Sequence, residues 1–374
     1  MSEASKVNNL EEDSLNPTIA VREGQQLDVE VVDAVVKKYL KENVKEHIES
    51  VEGKPQLTQF KGGSSNLTYL LSYPNRDIVL RRPPFGTKAK NAHSMLREYT
   101  IMNKIKPAFS AVPETFFYTD DESILGSEFY LMEKVEGCSV SNHIPASWGF
   151  GATENHQLAM AMFDKLIELH QVDYTALDLA DFGRPEGYVR RQIEGWTMRF
   201  EKALTDDVEA FTDVREWLLD RIPDKENKPA ILHGDFRIDN MIVDADNPFH
   251  VKAVLDWEIS ALGDPLMDLA NTLAYWVQAD DSAALRAFAI QPSDADGMPT
   301  RAELLEYYGT KTGIDISQFD FYAVYGYFRN AVILQQIYYR YYHGQTSDKR
   351  FANFSAGVNA LCQHCRVLIA ASRL

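Results

Sequence analysis

Two short stretches hold the side chains best suited to chemistry: His233-Gly234-Asp235-Phe236-Arg237-Ile238-Asp239-Asn240 and, sixteen residues past Asn240, Asp256-Trp257-Glu258. Each follows a short apolar, strand-like run, Ala230 to His233 in one case and Val251 to Leu255 in the other. Polar groups so placed sit in loops held by a rigid scaffold, where catalytic groups concentrate. Phosphoryl transfer asks for a carboxylate to orient the attacking hydroxyl, two oxygen ligands for Mg2+ and cations against the phosphates. Asp235, Asn240, Asp256 and Arg237 make up that set. Either stretch alone is also what hairpin loops with turn-forming Asp and Asn would show. Both together, in this order and behind a β-rich segment, favour the catalytic reading.

An Asp and an Asn five apart, with a further Asp after the next strand, match the catalytic-loop and metal-loop spacing of protein kinases. The whole pattern resembles the aminoglycoside phosphotransferase and choline kinase group of small-molecule kinases. That group has His233-Gly234-Asp235 in place of His-Arg-Asp and Asp256-Trp257-Glu258 in place of Asp-Phe-Gly, and the resemblance covers roughly Leu57 to Tyr342. Leu169-His170-Gln171-Val172-Asp173, Leu179 to Pro185, Arg191-Gln192 and Trp196 look like the subfamily fused in animals to acyl-CoA dehydrogenases. That subfamily is associated with phosphorylating hydroxylated acyl chains as thioesters; by spacing alone the segment is a helix, a turn and a helix.

The resemblance implies roles residue by residue. Asp235 is the catalytic base or hydroxyl-orienting group, Asn240 and Asp256 bind Mg2+, and Arg237 neutralises charge on the transferring phosphate. Gly62-Gly63-Ser64-Ser65-Asn66, a turn between two strand-like runs, would cover the phosphates of ATP with backbone N–H groups. Alternation puts Val79 and Arg81 on one strand face, and Arg81 stands where kinases have the Lys that meets the α/β-phosphates. Glu98 would be its ion-pair partner, and the backbone at Glu133 and Val135 would meet adenine. His233 reads as scaffold. Asp264 suits an N-cap with Pro265 at N1, and Asp264 and Asp268 are supporting residues.

The elements that must position these groups suggest an α+β, bilobal, protein-kinase-like fold. Residues 1–27, polar, acidic and aperiodic, read as a flexible arm. Residues 28–135 read as a nucleotide-binding lobe: a helix over Asp28 to Asn43, an antiparallel meander from Gln56 to Arg82, a helix over Lys90 to Ile105 and a strand over Phe129 to Val135. Residues 136–374 read as a mostly helical lobe carrying the catalytic loop and the acceptor site. Its helices are expected over Glu154 to His170, Gly187 to Leu204, Val208 to Arg221, Pro265 to Gln278, Arg301 to Thr310, Phe319 to Tyr342 and Asn353 to Ser372. On this reading ATP and Mg2+ lie between the lobes.

Composition narrows the partners. The chain has 374 residues, 45% apolar, and a net charge of −17, which repels nucleic acid and anionic lipid at long range and leaves a small-molecule hydroxyl acceptor as the expected partner. Three cysteines do not make a disulfide framework, and Cys362-Gln363-His364-Cys365 lacks a second ligand pair for zinc. With no apolar run near ~20 residues and an acidic start, a soluble, cytoplasmic protein is expected. The ending Ser372-Arg373-Leu374 approximates a peroxisomal address.

Phe321 to Ser347 and Lys349 to Leu374 contain no Asp or Glu. They carry instead Tyr322, Tyr325, Tyr327, Tyr338, Tyr339, Tyr341 and Tyr342 with Arg329, Arg340, Arg350 and Arg366. That set suits an anionic, partly apolar acceptor such as a hydroxyacyl acid or its CoA thioester, though tyrosines also serve as core filler. An aminoglycoside or choline-like amino alcohol is the alternative acceptor, and a nucleotide-binding pseudokinase the alternative of another class.

Overall fold

A computed structural model of the chain describes residues 18–42, 50–61, 66–85 and 94–374. The Gly62, Gly63, Ser64 and Ser65 turn lies outside them. The described residues fall into two compact units, one running up to Ser139 and including Asn240–Ser260, the other Val140–Asp239 with Ala261–Leu374. The chain passes from one to the other inside the catalytic loop, at Asp239 and Asn240, and again after Ser260.

In the first unit, six strands form one antiparallel sheet: β1 (Thr18–Ile19), β2 (Gln56–Phe60), β3 (Leu67–Ser72), β4 (Asp77–Arg82), β5 (Thr115–Thr119) and β6 (Phe129–Glu133), in the order β1-β2-β3-β4-β6-β5. Helix α1 (Val29–Glu42) repeats Val32, Val36 and Leu40 every four residues and buries that stripe with Ile78, Leu80 and Leu131. Because side chains alternate along a strand, Ile78 and Leu80 facing that core send Val79 and Arg81 to the opposite face. Helix α2 (Met95–Ile105) starts at Ser94, whose hydroxyl accepts from the Arg97 N–H.

Three features differ from the sequence reading. Residues 18–27 of the expected flexible arm are docked, with Thr18–Ile19 pairing with Phe60 and Gln59 and the Tyr69 hydroxyl donating to the Gln25 carbonyl at 2.7 Å. A two-residue strand has no periodicity to detect, and β5, whose five residues read Thr-Phe-Phe-Tyr-Thr, shows no alternation of apolar and polar residues. The hairpin of Met241–Val243 and Val251–Val254, assigned by sequence to the second lobe, groups with the first unit. It pairs with Cys138–Ser139 and donates from the Val254 N–H to the Ala111 carbonyl at 2.9 Å, contacts between positions far apart in the chain.

The second unit is built from α3 (Ala152–His170), α4 (Tyr188–Ala203), α5 (Thr212–Asp220), α6 (Pro265–Ala274), α7 (Arg301–Thr312), α8 (Phe319–Tyr342) and α9 (Phe354–Ala371), with Ala230–Leu232 pairing antiparallel with Ala261–Gly263. Helix α5 starts at Thr212 rather than Val208, because Phe211 has φ +45° and breaks the turn before it. All ten residues of α6 are buried, so this helix runs through the core. Helix α8 packs so closely on it that a Cβ at Gly326 would come 2.4 Å from the Ala270 carbonyl oxygen. Cys362 and Cys365 are buried in α9. No helix among the described residues is long and apolar enough to cross a membrane.

Candidate active site

Arg81 is the hub of the first unit. Its Nε lies 3.1 Å from Glu98 Oε2, and its Nη2 donates to Asp256 Oδ1 at 2.6 Å. Glu98, one turn into α2, is 1% exposed. Burial pushes its carboxyl up to about 7; Arg81 opposes that rise, while Asp256 and Glu258 add to it. Burial also works against the Arg81 charge, but Glu98 and Asp256 outweigh it and raise the guanidinium's proton affinity.

Asp256 has φ +68°, a left-handed conformation that costs a non-glycine residue about 1–2 kcal/mol. Its neighbour holds it there: Trp257 is fully buried, donates from Nε1 to the Val254 carbonyl at 2.9 Å and meets Phe109 edge-on. The Leu255 N–H donates to the Asn240 carbonyl at 2.8 Å, which ties the two metal-ligand candidates into one hairpin. Asn66 donates from Nδ2 to Glu258 Oε2 at 2.9 Å, so its amide already has a protein acceptor. The Glu133 N–H donates to the Glu114 carbonyl at 2.8 Å and is not offered to a base, whereas Val135 lies past the end of β6 and outside its ladder.

In the second unit the loop before Asp235 is built on Asp268. One oxygen of this buried carboxylate accepts from the His233 N–H at 2.7 Å and lies 3.2 Å from His170 Nε2; the other accepts from the Gly234 N–H at 2.8 Å. Burial alone would raise the Asp268 carboxyl, but His170, His233 and the backbone donor prevail and hold it below the usual carboxylate range. His170 in turn meets the Tyr308 hydroxyl at 2.7 Å through Nδ1. His233 is itself buried, and its Nδ1 accepts from the Asp235 N–H at 3.2 Å, a scaffold role. Gly234 has φ +85°, which only glycine adopts without strain, and the turn it permits carries Asp235 to the partly exposed side of the loop.

Arg237 lies 3.3 Å from Asp235 and 3.1 Å from Asp239, with its guanidinium 5.0 Å from the Tyr275 ring centre. The Ile238 N–H donates to Gln291 Oε1 at 3.2 Å. Tyr275 and Gln291 escaped the sequence reading, and Asp268 was rated only supporting. The available signal for Asp268 is a lone carboxylate inside a helix that carries no other charge.

The Arg and Tyr set of the last helices does not form one receptor. Arg366 is paired with Glu209 and Asp213, and Arg350 with Asp348. Tyr322 donates to Asp264 at 2.9 Å and Tyr338 to Asp207 at 2.6 Å, while Tyr325 and Tyr327 are buried. Acidic partners absent from these helices come from elsewhere in the chain, which a count within one segment cannot reveal. Arg329 differs, being buried and donating from Nη2 to the Gly234 carbonyl at 2.9 Å.

Known proteins resemble this chain over most of its length. Residues 56–305 match the model of the Phosphotransferase enzyme family. Acyl-CoA dehydrogenase family member 10 of mouse is 36% identical over 84% of this chain, and family member 11 of human is 31% identical over 82%. The chain spans 29% and 39% of those two relatives' own lengths. Among solved structures, a Ralstonia eutropha protein assigned by description to the aminoglycoside phosphotransferases superposes with a TM-score of 0.78 at 29% identity, covering 93% of this chain and all of the other. Choline kinase from Cryptosporidium parvum superposes with a TM-score of 0.58 at 13% identity over 92% of this chain and 96% of its own. The chain has the protein-kinase-like fold of these small-molecule kinases and belongs to the phosphotransferase enzyme family.

Proposed function

We propose that this chain is an ATP- and Mg2+-dependent kinase that phosphorylates the hydroxyl of a hydroxyacyl acid, free or as its CoA thioester. The observation that carries the reaction class is the pairing of Arg81 with both Glu98 and Asp256, a cation from a strand, a carboxylate from a helix and a metal-ligand candidate from a loop. Among the described residues no three His, Cys, Asp or Glu gather as a metal site. One carboxylate from Asp256 and one amide oxygen from Asn240 are nevertheless the hard donors that suit Mg2+, which takes its remaining ligands from water and phosphate. When bound there, Mg2+ neutralises charge on the β- and γ-phosphate oxygens.

The protein's own part is positioning and electrostatics. Arg81, held by Glu98, supplies positive charge to the nucleotide phosphates. Asp235 accepts the acceptor's hydroxyl proton in a hydrogen bond. The hydroxyl oxygen bonds to the γ-phosphorus as the bridging P–O bond to ADP breaks, and the proton passes through Asp235 to water. Arg237 offsets the charge on the transferring group. Relatives named for acyl-CoA dehydrogenase support an acyl acceptor.

The Arg81–Asp256 ion pair favours a second reading, a nucleotide-binding module without transfer, because it occupies a carboxylate that Mg2+ needs. Coupled ADP release with ATP and Mg2+ separates them, against 4-hydroxyacyl-CoA thioesters, free hydroxy acids, kanamycin and choline. Stimulation by an acyl compound is the expected result. Stimulation by kanamycin or choline alone replaces the acceptor, and ADP binding with no stimulation favours the module.

A further inference from the structure

Helix α6 meets the catalytic loop twice. Asp268 takes the His233 and Gly234 N–H groups ahead of Asp235. Tyr275, two turns further on at the C-terminal end of the helix and so on the same face, reaches the residues after it, with its ring centre 5.0 Å from the Arg237 guanidinium. Tyr275 is fixed at both ends. Its carbonyl accepts from Gln291 Nε2 at 3.1 Å, and its hydroxyl accepts a hydrogen bond from the Arg329 guanidinium. Gln291 is 1% exposed, and its Oε1 accepts from the Ile238 N–H at 3.2 Å, so one amide joins the loop to the end of α6. Burying an amide is unfavourable unless its hydrogen bonds are met, and an apolar side chain of similar size would fill the same space without making these two. Arg237 is partly exposed and is drawn along the loop by two carboxylates, Asp235 at 3.3 Å and Asp239 at 3.1 Å. The ring against its guanidinium gives it a third contact, one that does not belong to the loop.

We propose that Gln291 and Tyr275 are positioning residues for Arg237: the Gln291 amide ties the loop to the end of α6, the Tyr275 ring supports the guanidinium, and together they keep the cation available to the transferring phosphate instead of folded onto Asp235. This rests on the kinase reading above, in which Arg237 offsets charge on the transferring group and Asp235 receives the hydroxyl proton. A guanidinium that collapses onto Asp235 takes the cation from the phosphate and an oxygen from the hydroxyl in one movement. Both losses concern the phosphate as it moves and not the capture of substrates. They should therefore fall on kcat and leave KM near its wild-type value.

The test follows ADP release by the full chain with ATP and Mg2+, first without an acceptor, where water takes the phosphate, and then with 4-hydroxypentanoyl-CoA, kanamycin or choline. Gln291→Met keeps the volume and loses both hydrogen bonds. It should lower kcat roughly 10–100-fold, the cost of a misplacement near ~1 Å, while KM for ATP moves by less than about threefold. Tyr275→Leu removes the ring and should lower kcat roughly 3–30-fold. Tyr275→Phe keeps the ring, frees only the hydroxyl end and should cost less than about threefold. The deciding measurement is the double variant: on top of Arg237→Met, Gln291→Met should cost less than about threefold, because the side chain it positions is gone. A full additional loss in the double variant would mean that Gln291 supports the fold and not Arg237, and a loss confined to KM for ATP would mean that it supports binding. Either result overturns the proposal and leaves the kinase reading intact. If only kanamycin or choline stimulates ADP release, the acyl reading falls and the same double variant, run on that acceptor, decides the proposal. ADP binding with no ADP release under any condition would overturn both. If Gln291→Met no longer binds ADP, Tyr275→Leu and Tyr275→Phe are crossed with Arg237→Met in its place.

Discussion

Glu98 in the first unit and Asp268 in the second are both carboxylates shut away from water, and they behave oppositely. Glu98 has one nearby guanidinium, which it shares with Asp256, and its carboxyl is pushed up to about 7. Asp268 faces two backbone N–H groups and an imidazole and is held below the usual range. Burial penalises both charges, so the difference lies in whether the donors are numerous and unshared. The second arrangement fixes a loop, whereas the first leaves negative charge in excess around one cation. An excess of that kind accommodates an arriving divalent ion.

The largest effect is expected at the loop that Asp268 supports. Asp235→Asn should lower turnover by roughly 10²–10⁴-fold, the usual contribution of a positioned proton acceptor. Nucleotide binding should persist, as read by an ADP-induced shift in Tm, and turnover within threefold of wild type would remove Asp235 from the mechanism.

Asp268→Ala leaves three donors without their acceptor and should cost about 3–5 kcal/mol in urea unfolding. A loss below about 1 kcal/mol would mean that the loop holds without it.

The pH dependence should separate the two carboxylates by sign. Between about pH 4.5 and 7 the native state keeps a proton on Glu98 that the unfolded chain has released, so this group makes stability fall as pH rises. Asp268 stays ionised below its unfolded value, so its contribution is present above about pH 4 and is lost on acidification. Glu98→Gln should flatten the fall toward pH 7 by about 1–3 kcal/mol in chemical denaturation across that range. An unchanged slope would contradict the assignment.

The smallest effect belongs to Arg366, whose partly exposed pairs with Glu209 and Asp213 resemble ordinary surface bridges. Arg366→Ala should cost less than about 1 kcal/mol and move no acceptor KM. A change in acceptor KM would restore this arginine to the acceptor site.

The parts of this molecule visible in its sequence are those set by local pattern. Helix α8 runs over Phe319–Tyr342 as its apolar spacing implies, and the alternation Ile78-Val79-Leu80-Arg81 placed the hub cation on the right face. Asp235, Asn240 and Asp256 stood out because their spacing is short-range. Long-range partners stayed hidden: Asp268 beneath the catalytic loop, the carboxylates that neutralise Arg366, and the hairpin that joins Cys138–Ser139. Each depends on which distant segments pack together, and no periodicity records that.

The first unit is discontinuous in the chain, and this bears on how it comes to be made. Its sheet strands emerge from the ribosome about a hundred residues before Asn240–Ser260, the segment that brings both Asn240 and Asp256. Domains tend to fold as they are synthesised, and contacts across long stretches of chain close last. A nascent sheet can thus assemble early while its metal-ligand hairpin is still untranslated. Nucleotide-binding residues would be present before the residues that make binding productive, and a chain stalled before Asn240 would hold Arg81 and Glu98 without Asp256.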